Sequence, residues 1–83
     1  EKIYVSLDID VIDPAFAAGT GTPEPFGLTP RDVKYALGQV APRLAGFDIM
    51  EVSPHYDNGN TSALAARLAR EAIVRVEHSR KGR

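Results

Sequence analysis

Two short runs rich in β-formers stand on either side of a stretch of helical period, and that order constrains the fold more than any other feature of the chain. Residues 3–9 read IYVSLDI. Ile3, Val5, Leu7 and Ile9 fall on one face, and Tyr4, Ser6, Asp8 and Asp10 on the other. Residues 46–53, GFDIMEVS, make the second strand, with Phe47, Ile49, Glu51 and Ser53 on one face. Between the strands, Thr29 suits an N-cap, Pro30 the first helical position, and Asp32 lies three residues after the cap. Val33, Ala36, Leu37 and Val40 follow at helical spacing, which predicts a helix from Pro30 to about Val40. Strands joined through such a crossover run parallel. A last helix, capped by Asn60 or Thr61, carries a stripe of Leu64, Leu68, Ala72 and Val76 flanked by Ala65, Ala69 and Ile73. The predicted class is therefore α/β, in the order strand, loop, helix, strand, helix, with a basic tail over residues 79–83.

Composition narrows the function. Ten Lys and Arg against eleven Asp and Glu leave a net charge of −1, with no basic footprint for nucleic acid or an anionic membrane. No apolar run reaches the roughly 18 residues of a membrane-spanning helix. The absence of cysteine excludes a disulfide scaffold, a thiolate metal site and a cysteine nucleophile, and fits a reducing compartment. The 83 residues suit one small domain or a piece of a larger one. The opening on Glu1, directly before a strand, reads as the cut end of a longer chain.

Chemistry concentrates at the ends of the two strands. Asp8 and Asp10, two apart on a strand, point the same way, and two carboxylates on one face repel unless a cation or a proton joins them. Oxygen ligands at the C-terminal end of a parallel strand suit a hard or borderline divalent ion; the plainer alternative is a strand ending in solvent. Residues 13–30 hold four of the six prolines and three of the seven glycines, and so read as a long loop. Its GTGTPEP stretch, residues 19–25, lacks the Gly-Lys-Ser/Thr ending of a phosphate-binding loop. Glu51 reaches the same rim, where a carboxylate can hold a cationic group or pair with an Arg or Lys of the fold. His55 follows in SPHYD, as a pocket-lining residue or as polar surface. Asp48 reads as structural, and His78 carries no role.

Residues 6–25, SLDIDVIDPAFAAGTGTPEP, resemble the Ser-x-Asp-x-Asp-x-x-Asp-Pro and Gly-Thr-Gly-Thr-Pro motifs of the ureohydrolases, the family of arginase and agmatinase, and residues 46–57, GFDIMEVSPHYD, resemble the strand and loop that follow. The resemblance implies the C-terminal part of a three-layer α/β/α fold with a parallel sheet. It also implies two manganese ions, which acidify a water for attack on a guanidino carbon and release urea and an amine. By match to the motif, Asp8 bridges both metals, Asp10 ligates one, Thr22 positions the guanidino group, Glu51 accepts its hydrogen bonds, and Asp13 holds a turn. His55, just past the second strand, is expected to line the substrate site or to stand as polar surface. Ser53 and Tyr56-Asp57 resemble the agmatinase branch, which implies agmatine as substrate, putrescine as product, a role in polyamine synthesis and a cytoplasmic homo-oligomer, a trimer or hexamer. Arginase activity, guanidinobutyrase activity and a non-catalytic metal-binding or subunit module are the alternatives. Two departures stand out: Ala18 replaces the family's Pro, and Phe26 its Gly, and a Phe that needs negative φ would reshape the loop. The family's Gly-Gly-Asp-His and Asp-Ala-His-x-Asp segments do not occur in these residues, so the 83-residue chain alone is expected to be inactive.

Overall fold

Three residues set the start of the first helix. Thr29 Oγ1 accepts the Asp32 N–H at 3.1 Å, and the Asp32 carboxylate accepts the Thr29 N–H at 3.0 Å. With Pro30 at the first turn this is the capping box the sequence predicts, and α1 runs Pro30–Val40. The computed structural model describes residues 2–81, with β1 at Ile3–Asp8, β2 at Leu44–Met50 and α2 at Asn60–Lys81. Single 3-10 turns at Ile9–Val11, Ala41–Arg43 and Pro54–Tyr56 link them. Glu1, the expected cut end, lies outside the described residues.

β1 and β2 pair in parallel, with Tyr4 opposite Gly46, Ser6 opposite Asp48 and Asp8 opposite Met50. An irregularity between Ile3 and Tyr4 shifts the register by one residue. Leu44 can therefore join the core, as Phe47 and Ile49 do farther along. Both helices cover this one face. Val33 and Leu37 of α1 meet Leu68 and Ala72 of α2 over Ile9, Ile12, Ala17 and Leu44, with Ile3, Val5 and Leu7 packed alongside. The opposite sheet face carries Tyr4, 65% exposed, and Met50, 50% exposed.

Three expected boundaries move. The second strand begins two residues early and stops at Met50, because Glu51 takes a left-handed φ of 70° that a strand cannot continue through. Ser79–Lys81 are no tail but the last turn of α2, where basic side chains suit the negative end of the helix dipole; Gly82 and Arg83 lie outside the described residues. Ile73 is not buried: it is 70% exposed, in an open groove with Leu44, Phe47, Ala69 and Val76.

Candidate functional site

Asp8 ends β1, and the alternation expected through Asp10 ends with it. Residues 9–11 turn into a 3-10 helix capped by Asp8, whose Oδ1 accepts the Asp10 N–H at 3.0 Å. A short carboxylate satisfies the amide two residues on more cheaply than a further strand pairing would, so the chain turns here. Asp8 and Asp10 are thus joined by a turn and do not share a strand face. Asp10 Oδ2 accepts the Thr22 hydroxyl at 2.9 Å. One hydrogen-bonded path therefore runs from Asp8 through Asp10 to Thr22.

The loop reaches back because Asp13 closes its mouth. The Asp13 N–H donates to Leu28 O, and the Leu28 N–H donates to Val11 O, each at 2.8 Å. The Asp13 carboxylate accepts the Ala15 N–H at 2.9 Å and the Gly27 N–H at 3.2 Å. These backbone donors, Ala15 first, hold its pKa below the ordinary 3.8. Gly27 admits no side chain, since a Cβ there would sit 2.6 Å from the Asp13 nitrogen. Phe26 does not take the negative φ its type prefers. It sits at 65°, almost wholly exposed, because the bonds of its neighbours Gly27 and Leu28 fix the backbone on both sides of the closure.

Glu51 leaves β2 one residue past Met50, the register partner of Asp8, and so stands exposed at the same end of the sheet. It does not share a strand face with Ser53. The Ser53 N–H instead donates to Gly19 O at 2.7 Å and ties this loop to the Gly-Thr-Gly-Thr segment. His55 is exposed, with its ring centroid 4.4 Å from that of Tyr56. Among the described residues it bonds to none of Asp8, Asp10, Thr22 or Glu51. The structure brings three of the five candidates together, sets Glu51 at their rim and leaves His55 apart.

Two further clusters escaped the sequence reading. Neither Asn60 nor Thr61 caps α2: the Asp57 carboxylate accepts the Thr61 N–H at 3.1 Å and the Gly59 N–H at 3.0 Å. Thr61 Oγ1 donates to Asp57 Oδ2 at 2.7 Å and accepts the Gly19 N–H at 2.7 Å, while Asn60 Nδ2 donates to Phe16 O. These bonds, that from Thr61 foremost, lower the Asp57 pKa. The Asp-x-Gly spacing was the available signal for the turn; the contact with Gly19, 42 residues away, left none. On the open sheet face, Tyr4 OH and Ser6 Oγ each donate to Asp48 at 2.6 Å. The Ser6 bond, then that from Tyr4, lowers the Asp48 pKa, and the Tyr4 pKa rises in turn. Asp48 is structural, as expected, but as a clamp across two strands.

Asp8 and Asp10 offer hard oxygen donors of the type a divalent ion takes. They do not complete a shell, since the described residues contain no group of three or more His, Cys, Asp or Glu able to hold a metal. No helix among them is long and apolar enough to cross a membrane.

The sequence profile of the arginase family matches residues 1–74. The proclavaminate amidinohydrolase of Streptomyces clavuligerus is 49% identical over 83 residues, covering 95% of this chain and 26% of that protein. The mitochondrial guanidino acid hydrolase of Homo sapiens is 51% identical over 75 residues, covering 88% of this chain and 21% of that protein. The crystal structure of agmatine ureohydrolase from Thermoplasma volcanium superposes with a TM-score of 0.94 at 49% identity, over 98% of this chain and 28% of that one. The chain thus spans about a quarter of the length of the relatives it matches.

Proposed function

The chain belongs to the arginase family, with that family's α/β fold, and from this premise we propose that it carries part of a site that hydrolyses a guanidino group to urea and an amine. One observation carries the reading: Asp8, Asp10 and Thr22 are linked by hydrogen bonds at the same sheet end as Glu51. Asp8 and Asp10 would hold divalent cations, manganese in the first instance, with further ligands from outside these residues. A cation bound there supplies Lewis acidity and acidifies water. The chain's own residues do the recognition. The Thr22 hydroxyl spends its proton on Asp10 and keeps its lone pairs for a guanidino N–H. Glu51, unpaired among the described residues and free of the sheet, faces a planar cation with two acceptor oxygens. Water then adds to the guanidino carbon and the C–N bond to the alkyl nitrogen breaks, giving urea and the free amine.

Agmatine is the first substrate to test, on the strength of the Thermoplasma volcanium likeness and of Ser53 and Tyr56-Asp57. A guanidino acid is the second, favoured by the human relative named as a guanidino acid hydrolase. Urea release from agmatine, arginine and 4-guanidinobutyrate, with manganese added, decides between them. We expect agmatine to lead in the whole protein. We expect Asp8→Asn and Asp10→Asn each to lower turnover by at least about a hundredfold, the scale of losing a group that orients a metal site. Turnover that survives both substitutions would overturn the metal assignment. The 83 residues alone, lacking a third ligand group among those described, should release no urea.

A further inference from the structure

The two loops that bear the candidate residues meet at one buried hydroxyl. Thr61 is fully buried, at the start of α2. Its Oγ1 donates to Asp57 and accepts from Gly19, and Gly19 O accepts from Ser53. Gly19 lies three residues before Thr22, and Ser53 two after Glu51. Space at the joint is closed: a Cβ on Gly19 would come within 2.9 Å of Thr61 Cβ and Oγ1, and 3.0 Å of Asp57 Oδ2. Asn60 Nδ2 adds a second tie to the first loop through Phe16 O.

We infer that Thr61 is a positioning residue: through Gly19 it fixes Thr22 and Glu51 relative to each other, so that both meet one substrate. The inference rests on the proposed guanidino site. The chemistry restricts the position to a hydroxyl, because the group must donate to a carboxylate that only accepts and must also accept from an amide that only donates. Val at position 61 keeps the shape and loses both bonds. The helix start survives that change, since the cap on α2 is the Thr61 backbone N–H to Asp57, which Val retains. The joint and the cap are therefore separable.

The test uses the whole protein, with manganese and agmatine, and three variants. Thr61→Val should leave helix content unchanged and speed exchange of the Gly19 and Ser53 amides by about tenfold or more. It should lower kcat/KM by roughly tenfold, the scale of one buried hydrogen bond, with most of the loss in KM because two substrate contacts drift apart. Thr61→Ser, which keeps the hydroxyl, should restore both readouts. If Thr61→Val fails to fold, Gly19→Ala, which wedges the same contact, takes its place with the same expectations. Unchanged exchange at Gly19 and Ser53 overturns the inference, as does a Ser variant as impaired as the Val variant. Amide exchange needs no substrate, so a protein that turns over no guanidino compound sinks the functional reading separately, and the joint is then judged by exchange.

Discussion

Phe26 and Glu51 are the two non-glycine residues with left-handed backbone among those described, and their contrast separates stability from function. For a bulky side chain that conformation costs about 1–3 kcal/mol, partly offset in a Gly variant by the extra chain entropy of about 0.5–1 kcal/mol. Phe26 is 99% exposed and packs against nothing that would be lost. Phe26→Gly should therefore raise stability by about 1 kcal/mol in urea unfolding and leave turnover intact. Glu51→Gly should give the same gain but abolish the proposed guanidinium contact, so KM rises sharply while the unfolding midpoint climbs. A Glu51→Gly protein as active as wild type would remove Glu51 from the site. Neither conformation was legible in the sequence. A residue's own preference argues for negative φ at Phe26, and strand alternation carries smoothly through Glu51. What decides both is the bonding of neighbours: Gly27 and Leu28 to Asp13 and Val11, and Ser53 to Gly19.

At the scale of elements, local chemistry was legible and long-range contacts were not. The limits of α1 follow from Thr29, Pro30 and Asp32 because every group involved lies within a few residues. Thr29→Ala should cost about 1 kcal/mol, seen as a lower unfolding midpoint, with the Asp32 N–H losing its acceptor. A loss near zero would mean that water caps the helix as well as the hydroxyl does. The parallel pairing of β1 and β2 was equally legible, since a helix must carry the chain back between them. The candidate site was legible as residue types, Asp8, Asp10, Thr22 and Glu51, and partly misread as geometry. Asp8 turns the chain after β1 instead of sharing a face with Asp10, and the start of α2 is set by Asp57 rather than by the residues that open the helix. The first error comes from extending a period past a side chain able to satisfy the next turn itself. The second comes from a cap three residues upstream of the helix.

Across the whole molecule, three aspartates do the work of joining parts. Asp13 closes the long loop, Asp48 clamps β1 to β2, and Asp57 ties the start of α2 to the loop that precedes it. Each has its pKa held below 3.8 by the hydrogen bonds it accepts. A carboxyl with a depressed folded pKa contributes stability that is present above its unfolded value and lost as pH falls through the folded one. Stability should therefore begin to fall below about pH 3.8, where the unfolded chain takes up protons first. Tyr4 has the opposite sign: its pKa is raised from 10.0, chiefly by the hydrogen bond it donates to Asp48. Its contribution is present below about pH 10 and disappears as the phenol ionises in the folded state. All four groups face solvent, so each contribution is small, and the diagnostic quantity is the change of slope on removing one partner. Asp48→Asn does this for both limbs at once. It removes one depressed carboxyl from the acid limb, and it replaces the carboxylate acceptor whose hydrogen bond is the chief cause of the raised Tyr4 pKa with a neutral amide oxygen. Urea midpoints measured from acid to alkaline pH should therefore fall less steeply in the variant than in the wild type at both ends, with a lower plateau between. A variant whose alkaline limb matches the wild type would show that Tyr4 and Asp48 are neighbours on the sheet without being coupled.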